Sequence, residues 1–173
     1  EEIGRYGGTW RRVHMGMPDA AGWMRLTYDP LLRWSTDYSK VEPNIARSWE
    51  ISEDGRVFTF HLREGMRWSD GVPFTADDFV FWYEDIVLND KLTPVVPNWL
   101  TIGGVPGVLE RVDDLTIRFR FPKTNGVILK WLASWTELVA GPPPKHYLKQ
   151  FHPSYTPQAD LDAKESAEGY DTW

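Results

Sequence analysis

The clearest pattern along the chain is an alternation of apolar and polar residues just before position 63. Phe58, Phe60 and Leu62 are separated by single polar residues. Since successive side chains of a β-strand point to opposite faces, this alternation predicts a strand with one buried face. A β-prone run, IARSWEIS, precedes it, and the turn-forming sequence EDGR separates the two runs. We therefore predict a β-hairpin over residues 45–63.

A second alternating run, LTIRFRF, occupies residues 115–121. The run VLERV precedes it, and Asp113-Asp114 supplies turn residues between the two. The same reasoning predicts a second hairpin with one apolar face. The residues predicted on that face are Leu115, Ile117, Phe119 and Phe121.

The segment PFTADDFVFWYEDIVL at 73–88 carries a helix start signal. Thr75 is placed to accept a hydrogen bond from a first-turn N–H group, and Asp77 and Asp78 lie where the positive end of the helix dipole favours acids. Asp78 stands at the third helical position, as the acid of a capping box does. Phe81 and Trp82 fall to the sides of the helix, where they can face another element. The predicted buried stripe consists of Phe79, Val80, Tyr83, Ile86 and Val87.

Weaker signals mark the remaining segments. A short helix within 22–34 is predicted to end near Pro30, and a second helix covers 126–135. Residues 35–44 and 89–107 are predicted as turn and irregular loop, and GPPPKH favours extended polyproline II. The segment after Tyr155 is polar and helix-prone. The fold class predicted is α+β, with antiparallel β-hairpins packed against helices.

Composition excludes several classes of protein. The 173 residues are 42% hydrophobic and 25% charged, which is typical of a soluble globular domain. The net charge of -6 argues against binding to a nucleic-acid backbone, and no apolar run is long enough to span a membrane. The first residues, EEIGRYGG, lack the basic and apolar regions of a signal peptide. The absence of Cys excludes disulfides, thiolate metal sites and cysteine nucleophiles.

Aromatic residues are unusually frequent, at 14% of the chain with ten Trp. Large aromatic side chains dominate protein cores, and they also form stacking platforms for sugars and peptides. Core packing is the simpler explanation for most of them. A platform for a ligand stays open as the second explanation.

Catalytic motifs are missing from the sequence. The four His show no i, i+4 spacing of a zinc site, and no nucleophile-elbow, phosphate-loop or dinucleotide fingerprint is present. The charged stretch HLREGMRWSDGVPFTADD at 61–78 has a structural explanation for each charge, because it forms a strand end, a turn around Asp70-Gly71 and a helix cap. We predict no catalytic residue, no metal site and no cofactor.

The stretch PNIARSWEISEDGRVFTFHLREGMRWSDGVPFTADDFVFWYE at 43–84 resembles the family-5 extracellular solute-binding proteins, the oligopeptide, dipeptide and nickel receptors of ABC importers. Segments GGTWRRVHMG, TYDPLLRW, DDLTIRFRF and PPPKHYLKQF resemble further parts of that family, so the resemblance covers nearly the whole chain. The residues that match the family pattern at fixed spacing are Ala46, Ser48, Trp49, Asp54, Gly55, Phe60, Leu62, Arg63, Gly65, Trp68, Ser69, Asp70, Gly71, Pro73, Thr75, Ala76 and Asp78.

The resemblance implies a type II periplasmic-binding-protein fold, of which this chain is an amino-terminal fragment. Residues 1–33 are then expected to start the first ligand-binding lobe, and residues 34–135 to form the accessory lobe. Residues 136–173 are expected to return into the first lobe and end in a polar tail. In relatives the ligand is enclosed between the first lobe and a later one by hinge closure, and the later lobe lies outside this chain.

The resemblance also implies where ligand contacts lie. In oligopeptide-binding relatives the loop after the first strand contributes one contact, and in this sequence that loop contains Met15, Met17, Asp19 and Trp23. A second contact in those relatives follows a Ser/Thr-Pro dipeptide in the long loop. Thr93-Pro94 matches the dipeptide, which makes Val95 the contact residue, although relatives can carry Tyr there.

The function that the resemblance implies is capture of a peptide or similar solute for delivery to an ABC permease. The ten Trp keep a second ligand class open, oligosaccharides, which some family members take. A third hypothesis is a glycan-active hydrolase with a carboxylate pair. The expected partners are the ligand and the permease subunits, and a monomer is expected. The expected location is the periplasm or another site outside the cytoplasmic membrane, with a lipid anchor as one option.

If the 61–78 stretch is scaffold, its turn and cap residues act on stability alone. Thr75→Ala is expected to lower the free energy of unfolding by about 1 kcal/mol, as losses of helix caps do. Asp70→Ala is expected to lower it as well. Neither change is expected to alter ligand affinity of the full-length receptor, which titration calorimetry would check; a loss of affinity at unchanged stability would contradict the interpretation.

Overall fold

The computed structural model describes residues 29–134 and 142–169. The strands are β1 (Leu32–Trp34), β2 (Val41–Pro43), β3 (Ala46–Ile51), β4 (Val57–Leu62), β5 (Thr101–Ile102), β6 (Val105–Pro106), β7 (Val108–Asp113) and β8 (Thr116–Arg120). The helices are α1 (Ala76–Phe81), which continues as a π-helical turn (Trp82–Val87), α2 (Ile128–Leu132), α3 (Lys145–Leu148) and α4 (Gln158–Glu168). Short 3-10 helices cover Asn98–Leu100 and Lys149–Phe151. Within the described ranges, every helix is too short or too polar to cross a membrane.

Both predicted hairpins are present, and they join in one antiparallel sheet. β3 pairs with β4, and β7 pairs with β8. β4 also pairs with β8, with Phe58 opposite Phe119 and Phe60 opposite Ile117, so the strand order is β3-β4-β8-β7. The α+β class with antiparallel hairpins is therefore confirmed. The pairing between the two hairpins joins distant parts of the chain and has no local signal.

The two alternating runs bury the faces that were predicted. Phe58, Phe60, Ile117 and Phe119 are all at most 2% exposed. The rings of Phe60 and Phe119 meet edge to face, with centroids 6.2 Å apart, which is a favoured aromatic geometry. Thr116, on the opposite face of β8, is buried as well. Its hydroxyl lies 3.4 Å from Nδ1 of the His61 ring, so burial leaves the group with a polar neighbour.

The capping box of α1 is confirmed. Thr75 Oγ1 accepts a hydrogen bond from the Asp77 N–H at 3.3 Å, and the Asp78 carboxylate accepts from the Thr75 N–H at 3.0 Å. Arg111 of β7 pairs with Asp77 at 3.1 Å, which ties the helix start to the sheet. The reciprocal cap satisfies N–H groups that a helix start otherwise leaves without partners.

The buried stripe of this helix differs in part from the prediction. Phe79, Tyr83 and Val87 are buried as expected, but Val80 and Ile86 are only half-buried. Phe81 and Trp82, predicted to the sides, are buried as well. The wider π-helical turn over 82–87 rotates side chains away from the 3.6-residue period, which accounts for Ile86. Phe81 precedes this turn and is buried by ring contacts with His152 and Tyr155, and Trp82 stacks on Trp99.

A third hairpin was not predicted from the sequence. Residues 35–44 were predicted as turn, yet β1 and β2 pair across them with Trp34 opposite Val41. Asp37 organises the turn by accepting hydrogen bonds from the Ser35 and Ser39 hydroxyls, and these bonds lower its pKa to about 2. Strands of three residues are too short to show a period of two. Most of the helix predicted within 22–34 lies outside the described residues.

The other predicted segments are partly confirmed. The helix predicted over 126–135 is present as α2, and the irregular loop over 89–107 contains one 3-10 helix and the short β5-β6 pair. Residues 142–169, called the return segment below, contain an extended Pro144 followed by α3, and the polar α4. Leu161 anchors α4 with 2% exposure.

Gly107 offers a test of how tightly this core is packed. A Cβ at that position would lie 2.6 Å from Phe121 Cε1 and 3.2 Å from the Arg120 carbonyl, while the Gly107 carbonyl accepts a hydrogen bond from the buried Tyr83 hydroxyl. Gly107→Ala is expected to lower the free energy of unfolding by about 1–3 kcal/mol, as overpacking does.

The matched control is Gly126→Ala, where an added Cβ meets no atom within 4 Å. Its effect is expected to stay within about 0.5 kcal/mol in urea unfolding. If both substitutions lowered the free energy of unfolding equally, the packing around Gly107 would be able to accommodate an added methyl group.

Candidate functional site

The predicted ligand contacts fall into two groups. Met15, Met17, Asp19 and Trp23 lie outside the described residues. Val95 lies within them, on the loop of residues 88–97 that connects the π-helical turn to the 3-10 helix. We call this segment the Val95 loop. The Val95 loop is therefore the part of the predicted site that the structure describes.

The start of the Val95 loop is fastened to the end of the preceding helix. Thr93 is buried, and its hydroxyl donates a hydrogen bond to the Ile86 carbonyl at 2.7 Å. The Thr93 N–H donates to the Asn89 carbonyl, also at 2.7 Å. Two bonds from one buried residue fix the backbone just before Pro94, whose ring restricts the chain further.

The end of the loop is held by stacked indole rings. Trp99 stacks between Trp82 and Trp131, with centroid distances of 6.5 and 6.4 Å and interplanar angles of 18°. Trp82 and Trp99 are 7% and 5% exposed, so the stack reaches into the core, whereas Trp131 is 39% exposed. The Leu100 N–H bonds the Pro97 carbonyl at 2.9 Å. Trp82 was predicted to face another element, but the sequence carries no signal for this stack.

The Val95 loop presents apolar side chains to solvent. Val95 is 77% exposed, and Leu88 and Leu92 are 44% and 48% exposed. An exposed apolar residue on a loop with both ends fixed offers a preformed surface for apolar contact. Such a surface excludes water from a ligand and does no acid–base or nucleophilic chemistry.

A groove lies at the tip of the β3-β4 hairpin. This groove of about 450 Å³ is lined by Trp49, Ile51 and Phe58 on the hairpin, together with the segment 124–130. The Asn125 amide donates to the Trp99 carbonyl, and the Thr124 hydroxyl donates to the Asp54 carbonyl. These polar groups serve the fold, so the groove is mainly an apolar surface.

The charged stretch at 61–78 is scaffold, as predicted. Arg63 Nε donates to the Asn44 carbonyl, and Arg67 donates to the Gly71 carbonyl, both at 2.7 Å. The expectation that all its partners are local was wrong for two acids. Asp70 lies 2.6 Å from His146 Nε2, and Asp78 accepts the Lys145 N–H at 3.0 Å, so both bind the return segment.

The positions of the acids count against a hydrolase. Glu53 and Asp54 lie in the β3-β4 turn, Asp70 lies in the turn before α1, and Asp78 caps that helix. Each of these acids lies in a turn or at a helix cap, and no two of them form an inward-facing pair beside an aromatic cleft. Among the described residues, no group of three or more His, Asp or Glu is arranged to hold a metal ion.

Comparison with known proteins finds a family that matches most of the chain. The family described as "Bacterial extracellular solute-binding proteins, family 5 Middle" matches residues 40–170. The chain belongs to this family. The match contains the Val95 loop, the four-stranded sheet and the whole return segment.

Among family relatives, the periplasmic alpha-galactoside-binding protein of Rhizobium meliloti (strain 1021) is 33% identical over 170 residues. The match covers 88% of this chain and 24% of that protein. The chain thus spans about a quarter of the length of this relative.

Solved structures of the family share the fold. The structure of an oligopeptide-binding protein OppA matches with a TM-score of 0.86 and 44% identity, covering 100% of this chain and 26% of that one. The periplasmic binding protein MelB from Agrobacterium fabrum C58, in complex with stachyose, matches with a TM-score of 0.63 and 31% identity, covering 78% and 22%. These neighbours have the type II periplasmic-binding-protein fold, which confirms the fold prediction.

The contact between Asp70 and His146 makes a pH dependence testable. The hydrogen bond from His146, followed by that from the Val72 N–H, lowers the pKa of Asp70 below its ordinary value of 3.8. A lowered carboxyl pKa stabilises the folded state above the unfolded-state pKa, and this stabilisation is lost as the pH falls through the folded-state pKa. Asp70→Asn is therefore expected to cost stability at pH 6 and progressively less below about pH 4.

Urea unfolding at pH 6 and pH 3 would measure this difference. In a His146→Ala background most of the pH dependence of Asp70→Asn should disappear, because the first cause of the pKa shift is then gone. A cost of Asp70→Asn that stays constant down to pH 3 would refute the role of this pair.

Proposed function

We propose that this chain is the amino-terminal part of a solute-binding receptor of an ABC importer, which captures peptides outside the cytoplasmic membrane and delivers them to the permease. The observation that carries the proposal is the exposed Val95 on a loop fixed at both ends, in a chain 44% identical to an oligopeptide-binding protein over its whole length. The receptor binds and releases its ligand without breaking a bond, so it is not an enzyme.

The proposal includes an arrangement of the chain in lobes. Residues 34–135 form the accessory lobe, and residues 1–33 and 136–173 belong to the first ligand-binding lobe. In support, the main hydrophobic cluster of the described residues draws all its members except Leu31 and Leu32 from residues 34–135. The return segment contacts these residues through polar bonds such as that of the Lys145 N–H to Asp78 and through ring contacts such as that of His152 with Phe81.

Ligand binding in this proposal follows from lobe closure. Val95 contacts the ligand from the accessory lobe, and Met15, Met17, Asp19 and Trp23 contact it from the first lobe. A later lobe in the longer protein completes the enclosure. The receptor works as a monomer in the periplasm or elsewhere outside the cytoplasmic membrane, where a lipid anchor would keep it near its permease.

A second ligand class is favoured by a specific observation. The relative from Rhizobium meliloti is named for alpha-galactoside binding, and the MelB structure contains stachyose. Sugar rings stack on aromatic side chains, and this chain carries ten Trp. Oligosaccharide binding is therefore the alternative that an experiment must separate from peptide binding.

Titration calorimetry of the complete protein that carries this chain would separate the two classes. Trialanine is expected to release or absorb heat on binding, and stachyose is not. Binding of stachyose alone would replace the peptide proposal by the oligosaccharide one. Binding of neither probe would leave only the family assignment and reject both ligand classes as represented by these probes.

The role of Val95 gives a matched pair of substitutions. Val95→Asp is expected to lower affinity for trialanine about tenfold, because a carboxylate would be desolvated at an apolar contact. Val108→Asp is the control, since Val108 is 55% exposed on the edge strand β7 and the family resemblance gives it no ligand contact. Equal affinities of both variants and the wild type would remove Val95 from the binding site.

A further inference from the structure

The end of the π-helical turn leaves backbone carbonyls without helical partners. The turn stops at Val87, and its last helical bond joins the Leu88 N–H to the Tyr83 carbonyl at 2.9 Å. The carbonyls of Asp85 and Ile86 therefore have no following helical N–H group to accept from. Thr93 supplies a donor to Ile86 from within the Val95 loop. The donor to Asp85 comes from a distant part of the chain.

That donor is His152 of the return segment. Its ring is buried, with 7% exposure for the residue, and it packs between Phe81 and Tyr155 at centroid distances of 6.1 and 5.7 Å. Nε2 lies 3.2 Å from the Asp85 carbonyl oxygen. The Ser154 N–H donates to Nδ1 at 3.2 Å, so Nδ1 carries a lone pair and the proton is assigned to Nε2. His152 thus donates to the helix end.

His152 also packs against the first polar residue of the Val95 loop. The same Nε2 lies 3.5 Å from Nδ2 of Asn89, and since both nitrogens carry protons this is a packing contact and not a hydrogen bond. The Asn89 carbonyl accepts the N–H groups of Leu92 and Thr93, and its side-chain oxygen accepts that of Lys91. The hydrogen bond from His152 reaches the loop through the helix end, because Asp85 directly precedes Ile86, whose carbonyl accepts the Thr93 hydroxyl. Thr93 lies two residues before Val95.

We propose that His152 is a positioning residue for ligand binding, because it holds the helix end and the root of the Val95 loop in the conformation that presents Val95. This inference rests on the proposed function, in which Val95 contacts the ligand. A loop held in its bound conformation spares the ligand the free energy of ordering it. His152 itself contacts no ligand in this proposal and acts through its hydrogen bond to the Asp85 carbonyl.

The return segment provides a matched control. His146 also ties this segment to the rest of the fold, but its contacts are with Asp70 at 2.6 Å and with the Trp68 ring at 6.4 Å. Both His146→Ala and His152→Ala are expected to lower stability. Positioning of the loop should respond to the second change alone. His152→Gln keeps an N–H donor near the place of Nε2 and tests whether that bond is what matters.

Two measurements on the complete protein test the proposal. In the ligand-free protein, His152→Ala is expected to speed amide hydrogen exchange at Leu92 and Thr93 about tenfold, the effect of losing roughly one hydrogen bond. Affinity for trialanine is expected to fall by a similar factor. His152→Gln should restore both quantities to within about threefold, and His146→Ala should leave both unchanged within about twofold.

The outcomes separate this inference from the proposed function. Exchange and affinity that respond alike to His146→Ala and His152→Ala would reject the positioning role, because the effect would then be general destabilisation. Faster exchange in His152→Ala without binding of any probe by the wild type would reject the proposed function and with it the role in ligand binding. If His152→Ala fails to fold, Thr93→Val removes the neighbouring bond to Ile86 and should show the same two changes; unchanged exchange and affinity would overturn the proposal.

Discussion

The carboxylate of Asp78 receives N–H groups from three separate parts of the chain. Asp78 is 4% exposed, and its oxygens accept from the Thr75 N–H, from the Trp68 indole and from the Lys145 N–H, at 3.0, 3.3 and 3.0 Å. A buried carboxylate is costly unless such donors surround it. These three hydrogen bonds fix the turn before α1, the start of that helix and the start of the return segment relative to one another. The contact of Asp70 with His146 strengthens the same junction from the surface.

The other end of the same helix sets the position of the candidate site. The helix buries Phe81 and Trp82, and its π-helical end leaves carbonyls that side chains from other segments satisfy. Thr93 and His152 supply those donors, and the stack around Trp99 holds the far end of the Val95 loop. One helix therefore carries scaffold contacts at its start and leads at its end into the loop that carries Val95. This division explains why the most recognisable stretch of the sequence contains none of the predicted ligand contacts.

The local pattern was sufficient to predict the two long hairpins, the start of α1 and the family. Phe58, Phe60 and Ile117 follow a period of two, and Thr75 with Asp78 forms a cap within four residues, so the causes lie within a few positions of their effects. Val95 was also predicted as a ligand contact, from the adjacent Thr93-Pro94 and the family resemblance. The short β1-β2 pair carried no readable period, and the π-helical turn changed the period on which the helix prediction depended.

The tertiary structure alone decided how distant segments meet. The pairing of β4 with β8, the stack of Trp82, Trp99 and Trp131, and the contacts of the return segment with Asp78 and Asp85 join residues that lie tens of positions apart. A hydrogen bond or ring contact of this kind depends on where the chain returns in space, and local composition does not record that. The sequence by itself determined the elements, the caps and the family, because each depends on neighbours along the chain. Only the folded chain determined that a buried histidine near the end of the described residues holds the root of the Val95 loop.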